Sequence, residues 1–250
     1  MKLHAGAALA LLALTACATA PAAPGEIADP YEGFNRQMFA FNNGVDKYAI
    51  SPAATVYKTV TPGFARDRAG DFLRNLGAPV ILANDVLQSE PSRAGNTVAR
   101  FTINSTVGLL GFWDAADHFG IEHHSEDFGQ TLAVWGVESG PFLVMPILGP
   151  TTPRDLVGTG VDRALDPLTW TEIDNDEDTD LAVRGGMGII GALNARVRFD
   201  DEIDTLNAQP EPYVALRRLY SSQRQAAIAN GRVNEAEAYE DLPDFDEIED

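Results

Sequence analysis

The chain of 250 residues holds a single cysteine, and its position limits the folds open to everything after it. Cys17 ends the string Leu14-Thr15-Ala16-Cys17, behind a positive start at Met1-Lys2 and an apolar run from Ala5 to Leu14. A run of that length, closed by small residues, is a secretory signal and too short to span a bilayer. The string also matches a bacterial lipobox, in which the signal is cut before the cysteine and the thiol is lipidated. An ordinary signal peptide with an incidental cysteine is the alternative. On the lipobox reading, residues 1–16 are signal peptide, Cys17 is the lipidation site, and the mature chain is exported and held at a membrane. Two or more acyl chains anchor firmly, at ~0.8 kcal/mol per buried CH₂. Ala18, not Asp, follows the cysteine, which favours the outer membrane. No other thiol can close a disulfide, so packing alone must hold the fold.

The formal net charge is −19. That balance opposes nucleic-acid binding, which needs a basic face, and electrostatic docking on anionic lipid. Much of the excess is local, in Glu172 to Asp180, Asp200 to Asp204 and Glu235 to Asp250. The last of these lacks apolar periodicity, so residues 232–250 read as an acidic, disordered tail. Residues 17–28 are rich in Ala and Pro and read as a lipidated tether. Between tether and tail, residues 29–231 read as one helical domain.

No mature segment reads as a span. Phe101 to Trp113 is uncharged but too short, and Ser139 to Pro153 is broken by Pro141, Pro146, Pro150 and Pro153. A span needs about 20 apolar residues in helix. Short uncharged segments instead sit partway into a leaflet, line a groove, or form the core of a soluble protein.

Helix signals run through the domain. Asp29 reads as an N-cap with Pro30 at the first helical position and Glu32 closing a capping box. Phe34, Met38, Phe41, Val45 and Tyr48 then fall on one helical face. Ser51-Pro52 and Thr61-Pro62 predict two more short helices with a sharp turn between them. Leu76 to Leu87 predicts a helix broken near Pro79. Pro91 to Thr106 predicts another, with Val98, Phe101 and Ile103 or Val107 inward. Gly129 to Pro153 is the least helical stretch. Helix resumes at Thr152-Pro153 through about Leu165. Asp178 to Leu206 predicts the longest helix, and Glu211 to Ala229 the last. No train of strands is present, so the class is mainly α.

Three motifs invite chemistry. Gly186 to Gly191 matches G-x-G-x-x-G, but no strand precedes it and no βαβ rhythm surrounds it, so nucleotide binding does not follow. A small-residue helix face there permits close packing or leaves room for an acyl chain. His118, His123, His124, Glu126 and Asp127 carry metal-ligand chemistry without a ligand frame, and read as a solvated loop. No nucleophile elbow is present.

The blocks met along this chain resemble the MlaA family, also called VacJ, of outer-membrane lipoproteins. The most specific is Asp29-Pro30-Tyr31-Glu32-Gly33-Phe34-Asn35-Arg36, continued by Phe39, Phe41 and Asn42. Asn75-Leu76 with Pro79, Asn84 through Gln88, Arg100-Phe101, Asn104 to Gly108 and Gly111 to Asp114 follow. Glu126 to Leu132, Gly136-Val137, Gly140 to Phe142, Pro146 to Gly149 and Arg154-Asp155 complete the likeness. The resemblance implies a helical ring in the periplasmic leaflet of the outer membrane, with no spanning helix and an amphipathic passage through its centre. It implies removal of phospholipid misplaced in the outer leaflet, with a trimeric porin beside the ring. A soluble periplasmic carrier would receive the lipid and feed an inner-membrane ABC transporter complex. No catalytic residue, metal or cofactor is implied. A porin scaffold without a passage, and a lipid hydrolase using the His118–Asp127 loop, are the alternatives. Proline-broken and glycine-rich backbone in lipid must line a cavity. Pro141, Pro146, Gly185, Gly186 and Gly188 are therefore candidates for the passage or its lip. Phe41, Asn42, Asn43 and Gly44 are candidates for its control point, because Asn-Asn-Gly is a poor helix interior that invites a kink.

Overall fold

The computed structural model describes residues 26–172 and 176–230. Cys17 and the acidic tail lie outside the described residues. Helix α1 (Glu32–Val45) runs through a π-helical segment (Asp46–Ile50) into α2 (Ser51–Val60). After the turn at Thr61-Pro62 come α3 (Gly63–Leu87), α4 (Pro91–Thr106), the short α5 (Ala115–His118) and α6 (Phe128–Val134). A hairpin, β1 (Leu143–Met145) against β2 (Gly149–Thr151), precedes α7 (Pro153–Leu165) and a 3₁₀ turn (Pro167–Thr169). The chain closes with α8 (Glu177–Arg198), α9 (Asp200–Asn207) and α10 (Pro212–Ile228).

The contacts close into a ring. α1 packs on β1, β2 on α10, α10 on α6, α6 on α7, α7 on α3, α3 on α8, and α8 on α2, which returns to α1. No described helix is long and apolar enough to cross a membrane. The class is mainly α, as the periodicities predict.

Several expected boundaries move. The capping box at Asp29 does not form: α1 starts at Glu32 behind Tyr31, with no side-chain cap. Asp29 is buried and engaged elsewhere, accepting from Asn35 Nδ2 at 2.8 Å. Ser51-Pro52 begins α2 as expected, with the proline in its first turn, but without a side-chain cap, because the π segment runs straight into it. Pro79 does not break α3, which spans 25 residues and buries Asp71, Asn75, Ala78, Asn84 and Asp85 along itself. Tertiary burial there outweighs propensity. The run expected over Asp178 to Leu206 divides at Phe199 into α8 and α9. The Gly/Pro-rich stretch holds α6 and the hairpin. Glu26 to Ala28, expected in the tether, dock on the fold: Arg217 pairs with Glu26 at 2.7 Å, and the Phe142 N–H donates to the Ala28 carbonyl.

The larger correction concerns faces. On α4, Val98, Phe101 and Val107 point out, while Thr97, Arg100 and Asn104 are buried. On α1, Phe34 and Phe41 point out likewise, as does Tyr48 of the π segment. Among the described residues, seven buried side chains are hydrophobic and eighteen are polar or charged, while thirty large hydrophobics stand exposed. On α4 the spacing found the helix, and the side expected inward faces out. The small apolar core, Phe142, Val144 and Tyr213, lies under the hairpin, with Met38 and Phe39 of α1 packed on it.

Candidate functional site

Three cavities stand in a row along α3. The first, about 1090 Å³, opens between α2, α3, α5 and α8. Lys58, Arg66, Arg68 and Arg198 line it opposite Asp67 and Asp117. The second, about 730 Å³, is walled by Val80 and Ile81 of α3 and Thr159 and Gly160 of α7. The third, about 720 Å³, lies between α3 and α8, with Leu73, Leu76, Leu168, Trp170 and Met187 on its sides. Arg74, His123 and Ser125 face both the first and the second. Gly77, Arg163 and Asp166 face both the second and the third. The row is an amphipathic path: charged side chains line the first cavity, and the third mixes its apolar side chains with Arg163, Asp166, Glu172, Asp180 and Arg184.

Polar networks hold its walls. Arg100 grips Asp114 through Nη2 at 2.8 and 2.6 Å, and Asn104 adds a bond at 3.0 Å. Burial opposes ionisation of Asp114, but those bonds outweigh it and hold the carboxyl below its ordinary range. Burial pushes the Asp71 carboxyl up, against the pull of Arg68 and Arg74. Deeper, Thr97 donates to Asp85 at 2.6 Å, and His124 Nε2 lies 3.0 Å from the same carboxylate. Gln88 and Arg93 donate to Glu126 at 2.8 and 2.6 Å. Thr131 donates to Asn84, which donates to Asp162.

The loop expected to be solvated is partly buried, with Glu126 buried and His124 half-buried. His124 and Glu126 meet Asp85, not Asp127, with candidate ligand atoms within 4.8 Å of one another. Each of those atoms has a protein partner, and Arg93 supplies the positive charge a cation would bring. His118 is at the first cavity, and Asp127 caps α6 and pairs with Arg224 at 2.6 Å. Burial, with Arg100 and Arg74 nearby, pushes His123 down to about 4, a poor base for the Ser125 hydroxyl 3.5 Å away.

The remaining candidates divide. Asn42 clamps the hairpin turn, donating to the Met145 carbonyl at 3.0 Å and accepting from the Ile147 N–H at 2.7 Å. Asn43 reaches Asn207 at 3.4 Å. Phe41 points outward, and Gly44 has open space beside it, one residue before Val45 ends α1 and the π segment begins. Pro141 enters the hairpin and Pro146 sits in its turn, so both belong to the strand pair docked on α1. Gly185, Gly186 and Gly188 face open space, and Gly188 lines the third cavity. Gly191 instead packs, since a Cβ there would meet Leu73 Cδ1 at 3.3 Å.

Sequence reading missed Arg74, Gly77, Arg163 and the buried Asp71, Asn75, Thr97, Arg100 and Asn104. A signal was present: polar residues recur at spacings of 3 and 4 along α3 and α4.

The family described as MlaA lipoprotein matches residues 27–227 of the chain. A Haemophilus influenzae protein described as the intermembrane phospholipid transport system lipoprotein MlaA is 32% identical over 242 residues. That match covers 94% of this chain and 93% of the relative. The Escherichia coli K12 protein of the same description is 31% identical over 236 residues, 92% and 90% of the two chains. An uncharacterized protein of Rickettsia felis is 35% identical over 207 residues, covering 81% of this chain and 79% of its own. A solved structure, described as the structural basis for maintenance of bacterial outer membrane lipid asymmetry, superposes with a TM-score of 0.70 at 28% identity. It matches over 80% of this chain and 99% of that one.

Proposed function

The chain belongs to the MlaA lipoprotein family, and from that premise we propose that it removes phospholipid from the outer leaflet and passes it inward through the row of cavities. The observation that carries the reading is the inverted distribution: polar side chains inside, apolar side chains around the rim. In water an exposed apolar surface of this extent is unfavourable; in a hydrocarbon leaflet it is matched. The buried polar groups then face a path for headgroups, which lipid alone would exclude. The apolar side chains of the third cavity suit acyl chains, and the charged first cavity suits a headgroup near water.

The finer reading extends this. Lipidation at Cys17 anchors the ring in the periplasmic leaflet of the outer membrane. A trimeric porin packs on its rim, and a soluble periplasmic carrier collects lipid for an inner-membrane ABC transporter complex. Phe41, Asn42, Asn43 and Gly44 control the passage through the hairpin that Asn42 clamps. The chain carries no nucleotide chemistry, so net direction is set by the carrier and transporter. Catalysis plays no part in this reading.

The test places labelled phospholipid in the outer leaflet of vesicles holding the full lipidated protein and follows its appearance on a soluble carrier. Transfer above protein-free vesicles is expected, with the lipid chemically intact. No transfer, or recovery of lysolipid and free fatty acid, would sink the proposal.

A further inference from the structure

We propose that Arg163 binds the phosphodiester of a glycerophospholipid in transit, where the second and third cavities meet, and that Arg74 receives it where the first and second meet. The inference rests on the passage read above and assigns its binding groups. Each junction carries one arginine: Arg74 at one, Arg163 at the other.

The charged side chains around the middle cavity are not equally available. Glu126 accepts from Gln88 and Arg93. Asp162 accepts from Asn84 Nδ2 at 2.9 Å and from the Phe128 N–H at 3.0 Å. Asp166 accepts from the Leu168 N–H at 2.9 Å. Arg74 is paired with Asp71. Arg163, exposed into two cavities, makes no ion pair and no side-chain hydrogen bond among the described residues. It is the charge left over for a ligand. A guanidinium presents parallel N–H donors that fit the two free oxygens of a phosphodiester.

The surroundings suit a lipid. Leu73, Leu76, Trp170 and Met187 line the third cavity on one side of that junction and take acyl chains. Across from Arg163, Gly77 presents bare backbone with no atom within 4 Å of where its Cβ would stand, which leaves the junction open. Arg74 lies three residues back along α3, roughly 4.5 Å of helical rise. A phosphate released at Gly77 therefore meets the next guanidinium within one turn. Asp71 competes for Arg74, which keeps that hold weak enough to release.

The experiment loads the intact lipidated protein from vesicles of labelled phosphatidylglycerol and measures lipid retained per protein. Parallel arms use diacylglycerol vesicles, which lack the phosphate, and millimolar inorganic phosphate as competitor. Arg163→Gln should lower retained phosphatidylglycerol about tenfold, the scale of one charge-assisted bidentate contact. Arg218→Gln, on the exposed face of α10, should leave it unchanged. Diacylglycerol retention should be low and indifferent to Arg163. Unchanged retention in Arg163→Gln, equal loss in Arg218→Gln, or diacylglycerol retained like the phospholipid would each overturn the inference. Displacement of the lipid by inorganic phosphate would assign the site to the free anion and overturn it too. Failure of the unaltered protein to load from any vesicle would fall on the passage itself.

Discussion

Asn35 occupies one buried position and ties three parts of the chain together. Its amide donates to Asp29 at 2.8 Å and to the Phe142 carbonyl at 2.9 Å, and accepts from the Val144 N–H at 2.9 Å. Asn35→Ala removes all three bonds and takes this partner from the buried Phe142 carbonyl and Val144 N–H, while Asp29 keeps the Tyr213 hydroxyl, at a cost of about 3 kcal/mol. A thermal melt should show a fall of roughly 10 °C, the scaling for a chain of this size; a shift within error would remove Asn35 from the framework. Arg224 makes a second knot, with Asp127 at 2.6 and 2.7 Å and Asp155 at 2.7 Å. Burial opposes ionisation of both carboxylates, but the Arg224 bonds prevail and hold them below the ordinary range. The folded state therefore binds fewer protons than the unfolded one near their ordinary values. The stabilisation is complete above the ordinary carboxylate pKa of about 4 and is lost as pH falls below it through the depressed folded values. Arg224→Met should be less stable than the parent at pH 7, with the gap between their melting curves closing below about pH 4. A gap constant with pH would refute the linkage.

At the scale of elements, the π segment and the middle of α3 carry the argument. The π segment lets α1 continue into α2 past Pro52, and Asp46 at its start is gripped by Arg196 of α8 at 2.7 Å. Deleting Asn42 removes both bonds to the hairpin turn and shifts the register entering this segment. We expect altered outer-leaflet phospholipid content with protein abundance kept; a fall in abundance alone would make the segment structural. Gly77 gives the complementary test. No atom lies within 4 Å of its missing Cβ, and glycine inside a helix costs about 0.5–1 kcal/mol relative to alanine. Gly77→Leu should thus melt no lower than the parent while its side chain fills the junction beside Arg163. Vesicle-to-carrier transfer should drop at least about tenfold, the scale of a blocked path at about 1.4 kcal/mol per decade. Normal transfer in a folded Gly77→Leu protein would mean that lipid travels elsewhere.

For the whole molecule, Cys17→Ala tests the anchor. Loss of the acyl chains should leave the protein uncleaved or mislocalised and inactive, with residual membrane association from the apolar rim. A variant that fractionates with the outer membrane and restores the barrier would exclude lipidation as the anchor. The sequence alone determined the mainly α class, α4, the last helix, the start at Thr61-Pro62 and, among the described residues, the lack of a spanning helix, because periodicity, capping and length are local properties. It also carried the family likeness in Asp29 to Arg36, where Asp29 and Asn35 prove to be the posts of the hairpin. Only the tertiary structure decided which side of each helix faces inward. A helix with Val98 and Phe101 on one side and Thr97, Arg100 and Asn104 on the other has the same period whichever side is buried. The partner that Arg100 finds in Asp114 lies beyond its own helix, and the cavity row along α3 is walled by α7 and α8, segments far from it in sequence. Spacing records that a helix has two faces; the medium around it and the charges it meets decide which one is the inside.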